Sequence, residues 1–252
     1  MTKLEKIGLS AFALKLIMLV LMLGDHLVYF LPQYFPFELR YAGRLVAPVF
    51  CYLMTVSLHH TRDRLRFFLR MAIAGLIMLV GNWLLAWALG GPPITNNIFF
   101  TLALSAGLII ALERIITGEG RPVLNALAAV LLLYAANFVE GGFLLPVMAL
   151  VFYFLRGQRL AMCIVYIAVG WALLYLTGFR MGLNWASISL FGFNLRHLLH
   201  FQYYQVFAVI PILLYNGRKG GSLPAFDKWL FYLFYPLHVW WLYVIRHLIL
   251  FS

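Results

Sequence analysis

The chain predicts an all-α, polytopic transmembrane helical bundle of about nine to ten spans. Hydrophobic residues fill 64% of its 252 positions and charged residues only 11%, and the mean hydropathy is +0.92. Soluble domains average about 45–50% apolar and about 25% charged residues, so a soluble globular protein is excluded. Disordered, coiled-coil and disulfide-stapled chains need far more polar, periodic or cysteine-rich sequence. The apolar residues also fall into separate runs of the order that a bilayer requires, about 20 residues per helix.

Charges, Gly, Pro and Asn divide those runs at residues 10–31, 45–58, 67–89, 98–116, 123–138, 143–155, 160–176, 198–215 and 229–250. The first carries Asp25 and His26 and no small-residue cleavage site, so it reads as a retained helix and not a signal peptide. The second, fifth, sixth and seventh are shorter than about 20 residues, which fits little tilt, extension into loops or a re-entrant path. A semi-polar stretch at 178–196, with Asn184, Trp185, Ser187, Ser189 and Asn194, has room for a tenth helix. No sizeable soluble domain fits beside these spans, and there is no internal repeat or low-complexity linker. Residues 1–252 read as a single integral-membrane domain. Cys51 and Cys163 both lie inside apolar runs, as small buried side chains rather than a disulfide or metal set.

Positive residues are retained on the cytoplasmic side of membranes. With a cytoplasmic amino terminus, fourteen of the 19 lysines and arginines fall inside, leaving Arg40, Arg44, Arg180, Arg196 and Arg246. The first helix then enters near Ser10 and ends outside. His26 lies about 24 Å further along, in the outer part of the bilayer. The net charge of +11 belongs to loops, and no basic face or tail points to nucleic acid.

Ionisable groups in hydrocarbon cost several kcal/mol unless they face a polar interior, so they mark sites by default. Four clusters qualify: Gly24-Asp25-His26; Gly43-Arg44 with Pro48 and Phe50, followed at the inner end by His59-His60-Thr61-Arg62-Asp63; Asn96-Asn97 through Thr101; and Tyr232 through His238. Imidazole can take a proton from an amine or hydroxyl at neutral pH and return it to a leaving thiolate, which makes His26 the candidate catalytic base. A purely structural histidine is the plain alternative, and an aspartate beside it in an apolar helix weighs against that. Asp25 and His26 side chains point about 100° apart, so Asp25 pairs with Arg44 or lines the same cavity. His238 follows the helix-loosening Pro236, where a kink alone is an equal reading. The Arg62, Arg66 and Arg70 run is either a topology signal or a cationic mouth for a phosphate-bearing cosubstrate such as coenzyme A. Glu140-Gly141-Gly142 reads as a turn with an incidental carboxylate or as an outer-face acceptor contact. Arg196, His197 and His200 have no cysteine or carboxylate nearby, so no metal is expected.

Asp25-His26, Gly43-Arg44 with Pro48 and Phe50, Thr61-Arg62 with Arg70, Asn97 with Phe100-Thr101, and Tyr235-Pro236-Leu237-His238 together resemble the TraX family, named for the conjugal-transfer pilin acetylase. The likeness runs in order over about residues 10–115 and again over 229–240. The family is similar in turn to multispanning acyltransferases that pass an acyl group from cytoplasmic acyl-CoA to an acceptor on the far side. That resemblance implies His26 as the catalytic histidine, with Asp25, Arg44, Asn97, Thr101, Tyr235 and His238 around it and Arg62 toward the coenzyme. It also implies a bacterial cytoplasmic membrane. After the fifth helix this chain departs from the family, with Glu140-Gly141-Gly142 in place of an Asp-Tyr-Gly-like turn, so no acceptor is implied.

The expectation is therefore an integral-membrane, acetyl-CoA-dependent acyltransferase, without metal, acting on an amine or hydroxyl of a peptide amino terminus, a sugar or a lipid. Asn97, Thr101 or Tyr235 would supply hydrogen bonds to the reacting carbonyl. A proton-coupled transporter or flippase, with Asp25, His26 and His238 as relay, is the alternative; a missing repeat and polar residues confined to helix ends count against it. A noncatalytic scaffold leaves the ionisable clusters unexplained.

Overall fold

A computed structural model describes residues 8–180, 189–190, 193–194 and 201–251. Its regular structure among the described residues is helical, apart from a two-residue antiparallel pairing of Ser189–Leu190 with Phe193–Asn194 and an isolated bridge between Leu9 and Tyr215. In order the helices are α1 (Ala11–Phe30), the short α2 (Leu39–Gly43), α3 (Val46–His59), α4 (Arg64–Leu89), α5 (Ile98–Ile116), α6 (Pro122–Ala135), α7 (Leu144–Phe154) and α8 (Arg159–Arg180). A 3₁₀ segment at Phe201–Ala208 then leads into α9 (Val209–Leu214), and α10 (Pro224–Phe251) closes the chain.

Local chemistry sets the helix starts. The Ser10 hydroxyl accepts from the Ala13 N–H at the start of α1, and the Asp63 carboxylate accepts from the Arg66 N–H at the start of α4. Pro122 occupies the first position of α6, where its missing donor costs nothing. α4 ends at Gly90, whose φ of 60° is the left-handed conformation that glycine reaches without strain.

The expectation of nine to ten crossings is not supported by helix length. Among the described residues five helical stretches are long and apolar enough to span a bilayer: Ala11–Phe30, Leu39–His59, Arg64–Leu89, Ile98–Ile116 and Trp229–Leu250. The other apolar runs form shorter helices, Pro122–Phe138, Leu144–Phe154, Arg159–Leu173 and Gln202–Leu214. At 1.5 Å per residue, helices of that length fall short of a hydrocarbon core about 30 Å thick. Of the stretch with room for a tenth helix, residues 181–188, 191–192 and 195–196 lie outside the described residues, as do Lys3, Lys6, His197 and His200.

The core runs between α1, α3, α5, α7 and α10, where Met18, Val49, Phe50, Phe99, Ile109, Met148, Tyr235 and Leu242 are buried. α4 turns outward: Ile73, Leu76, Ile77, Val80, Trp83 and Trp87 are exposed, the stripe expected of a helix facing lipid. One close helix contact shapes the polar interior. A Cβ on Gly43 would overlap the Asp25 side chain, so only glycine lets α2 press against the end of α1. At the opposite end of the bundle the chain is clasped, with Leu9 N–H donating to Leu214 O at 2.7 Å and Asn216 N–H donating to Leu9 O at 3.0 Å.

Candidate active site

Where α1, α3, the turn after α6 and the 3₁₀ segment converge, a cavity of about 420 Å³ is lined by Asp25, His26, Arg44, Glu140, Gln205 and Tyr235 among others. Asp25, His26, Gln205, Tyr235 and His238 are all buried. A smaller opening beside it adds Arg40, Thr95 and Asn96. Asp25 is held by both arginines: Arg44 Nη2 pairs with Oδ2, and Arg40 Nε donates to Oδ1 at 3.3 Å. The expected Asp25–Arg44 pair is thus formed, and Arg40 joins it without any cue in the sequence.

His26 and His238 lie against one another, Nδ1 to Nε2 at 2.7 Å with nearly parallel rings. On the other side His238 Nδ1 is 2.7 Å from the Phe234 carbonyl oxygen. A carbonyl only accepts, so His238 Nδ1 carries the proton and its Nε2 accepts. His26 Nδ1 must then donate, which leaves His26 Nε2 as a lone pair, with the Asn96 amide 3.4 Å away. Two neutral imidazoles in series thereby fix one tautomer of His26. His238 does more than kink a helix.

Tyr235 lies beside them, its hydroxyl donating to Glu140 Oε2 at 2.6 Å and accepting from the Ile98 N–H at 3.2 Å. Glu140 sits in the turn between α6 and α7, outside the spanning helices. Burial raises its carboxyl above the ordinary value, and the Tyr235 hydrogen bond partly offsets that rise. Of the two readings of Glu140-Gly141-Gly142, the turn is present, and its carboxylate is part of the chamber wall.

The three groups expected to assist a reacting carbonyl are already engaged. Asn97 caps α5, its Oδ1 accepting from Phe100 N–H at 3.4 Å and its Nδ2 donating to Gly75 O at 2.8 Å. Thr101 donates to Glu140 O at 2.5 Å, and the Tyr235 hydroxyl is committed to the Glu140 carboxylate. Gln205 differs. Its Nε2 is buried without a hydrogen-bond partner among the described residues, and the side chain lines the cavity. Its sequence cue was weak, one of two amides, with Gln202, in the apolar run at 198–215. Asn82 holds the loop that carries Asn96, its Nδ2 donating to Ile94 O and Asn96 O at 3.2 and 2.9 Å while its Oδ1 accepts from Trp240 Nε1 at 2.8 Å.

The cationic run divides. Arg66 pairs with Asp63 at 2.8 Å on an exposed helix start, and Arg62 lines a cleft with Arg64, Glu113 and Arg114. Arg70 lines a different cavity. No group of three or more His, Cys, Asp or Glu side chains suited to a metal occurs among the described residues.

Long apolar helices around a buried histidine pair and a salt-bridged polar chamber define an integral membrane protein with an interior site. The chain belongs to the TraX family, described as TraX protein, whose profile matches residues 10–246. A probable fimbrial assembly protein FimC, serogroup H1, of Dichelobacter nodosus is 27% identical over 249 residues, covering 93% of this chain and 95% of that protein. No solved structure matches the chain.

Proposed function

We propose that the protein is a membrane acyltransferase that moves an acetyl group from cytoplasmic acetyl-CoA to an amine or hydroxyl acceptor in the His26 chamber. The observation that carries this reading is the His26–His238 pair, which leaves an unprotonated Nε2 facing a cavity large enough for a small reacting group. His26 Nε2 takes the proton from the acceptor as its nitrogen or oxygen attacks the thioester carbonyl. Gln205 Nε2 donates to the oxygen on which negative charge builds. The carbon–sulfur bond then breaks, and the imidazolium returns its proton to the departing thiolate. His238 stabilises the imidazolium through its Nε2, and the Asp25–Arg44–Arg40 group holds α1 and α2 in place around the base.

Membership of the TraX family, and the fimbrial-assembly role in the relative's name, support a pilin-type amino terminus as acceptor. The positive-inside bias of the loops supports a cytoplasmic amino terminus in a bacterial cytoplasmic membrane. It fits the nine apolar runs of the sequence, of which five form helices long enough to span a bilayer.

The test is release of free coenzyme A by purified protein given acetyl-CoA, with and without a membrane extract as acceptor source. Extract-dependent release by the wild type that falls at least about 100-fold in folded His26→Ala is the expected result. Equal release by the two proteins overturns the assignment.

A further inference from the structure

A second cavity, of about 370 Å³, opens at the opposite end of the bundle, and the proton transfers at His26 do not use it. Its charged lining is Lys15, Arg70, Lys219 and Asp227, with the hydroxyls of Ser57, Thr61 and Tyr232 beside them. Three cations therefore face one carboxylate. Lys15 sits on the second turn of α1, a charge placed where a membrane helix is normally apolar, and such residues mark ligand paths. Lys219 and Asp227 are the charges that act on it, and Arg70 acts on Tyr232 in the same wall.

The cluster is built and not a chance meeting of loose side chains. Ala11 N–H donates to Arg218 O at 2.9 Å and Phe12 N–H to Lys219 O at 3.0 Å, which fastens the loop carrying Lys219 to the start of α1. Gly220 allows that approach, with φ at 65° and Ser10 where its Cβ would stand. Below the cations the walls are apolar. Phe50 lines both this cavity and the His26 chamber. Its ring is 4.3 Å from Phe231, and Phe231 is 5.5 Å from Phe99. Lys15 and His26 are eleven residues apart on one helix, about 16 Å.

We propose that this cavity binds the phosphate-bearing end of the acyl donor, with Lys15, Arg70 and Lys219 pairing with phosphate oxygens and the slender thioester arm passing the Phe50–Phe231 pair toward His26. The proposal rests on the acyl-transfer reading and assigns its donor a place distinct from Arg62 and Arg66. Phosphate chemistry could also be supplied by an anionic lipid headgroup, and that source has its own arm in the test.

Full-length protein in neutral-lipid nanodiscs would be titrated calorimetrically with coenzyme A, with adenosine 3′,5′-bisphosphate and with pantetheine, before and after adding phosphatidylglycerol. Coenzyme A and the bisphosphate are expected to bind, more weakly as salt rises, and pantetheine, lacking phosphate, not to bind. Lys15→Gln and the loop variant Lys219→Gln should each weaken binding about tenfold, as expected for loss of a charge-assisted contact. Phe50→Trp should keep coenzyme A binding and lower acetyl transfer at least about tenfold. Unchanged affinity in folded Lys219→Gln overturns the site, as does binding of phosphatidylglycerol without any binding of coenzyme A. Binding with this charge dependence but no transfer to any acceptor would uphold the site and sink the acyltransferase reading instead.

Discussion

Asp25 shows how a single buried carboxylate organises its surroundings. Two guanidinium groups reach it from α2 and the residue after it, and it in turn sets how closely α2 can approach. Removing one partner of a mostly buried pair leaves a charge without its compensation. Arg44→Gln should therefore destabilise the fold by on the order of 3 kcal/mol, read as an earlier thermal unfolding transition in detergent. His238 makes a subtler contribution. His238→Leu keeps the volume but removes the acceptor for His26 Nδ1–H, and should lower kcat about 100-fold with little change in KM for acetyl-CoA. His238→Gln, which restores an acceptor, should recover much of the loss; equal rates for the two variants would show that the second imidazole only fills space. Gln205→Leu is expected to lower kcat by about 100-fold as well, the size of effect seen when one donor to a developing oxyanion is deleted.

Among the elements, α2 is the most consequential for its length. It is five residues long, and its last residue, Gly43, touches Asp25 directly. Gly43→Val should push α2 away and part Arg44 from Asp25, so that transfer is lost while the helical circular dichroism is kept. An unaffected rate would mean that the α1–α2 contact does not position the base. This element was not legible as a helix: residues 32–44 are rich in Pro, Tyr and charge, and no apolar period marks them. The longer helices were legible because their apolar runs have no other stable home than lipid or core. Asp25, Arg44, Tyr235 and His238 also stood out, as polar groups in apolar surroundings. Glu140 was legible but open between a turn and an acceptor contact, and Gln205 did not stand out, since one of two amides in the run at 198–215 carries no signal until the fold closes over it. Asn97 was legible as important, and its role came out differently: its spacing before Ile98 is that of a helix cap, and both ends of its amide serve to anchor the start of α5.

Two of the cavities among the described residues lie at opposite ends of the bundle, one holding a base and one holding cations, with an aromatic layer shared between them. If the amino terminus is cytoplasmic, single cysteines replacing Glu119 and Arg218 should react with a membrane-impermeant maleimide only after the cytoplasmic face is opened. A cysteine replacing Gln33 should react from outside in intact cells. The reverse pattern would invert the membrane orientation and place the cationic cavity on the wrong side for a cytoplasmic donor.

The clasp between Leu9 and residues 214–216 has a bearing on biosynthesis. Its two sides are made more than two hundred residues apart, as are His26 and His238, which are separated by 212 positions. A ribosome therefore delivers the base early and its partner last, and neither chamber can close until α10 has left the translocon. A nascent or prematurely terminated chain would sit in the bilayer with an unpartnered His26, its tautomer unfixed and the cationic pocket missing the wall supplied by α10. Truncation before residue 224 should give a protein with no transferase activity at all, not a weakened one, and an open cavity end that membrane quality-control proteases can reach.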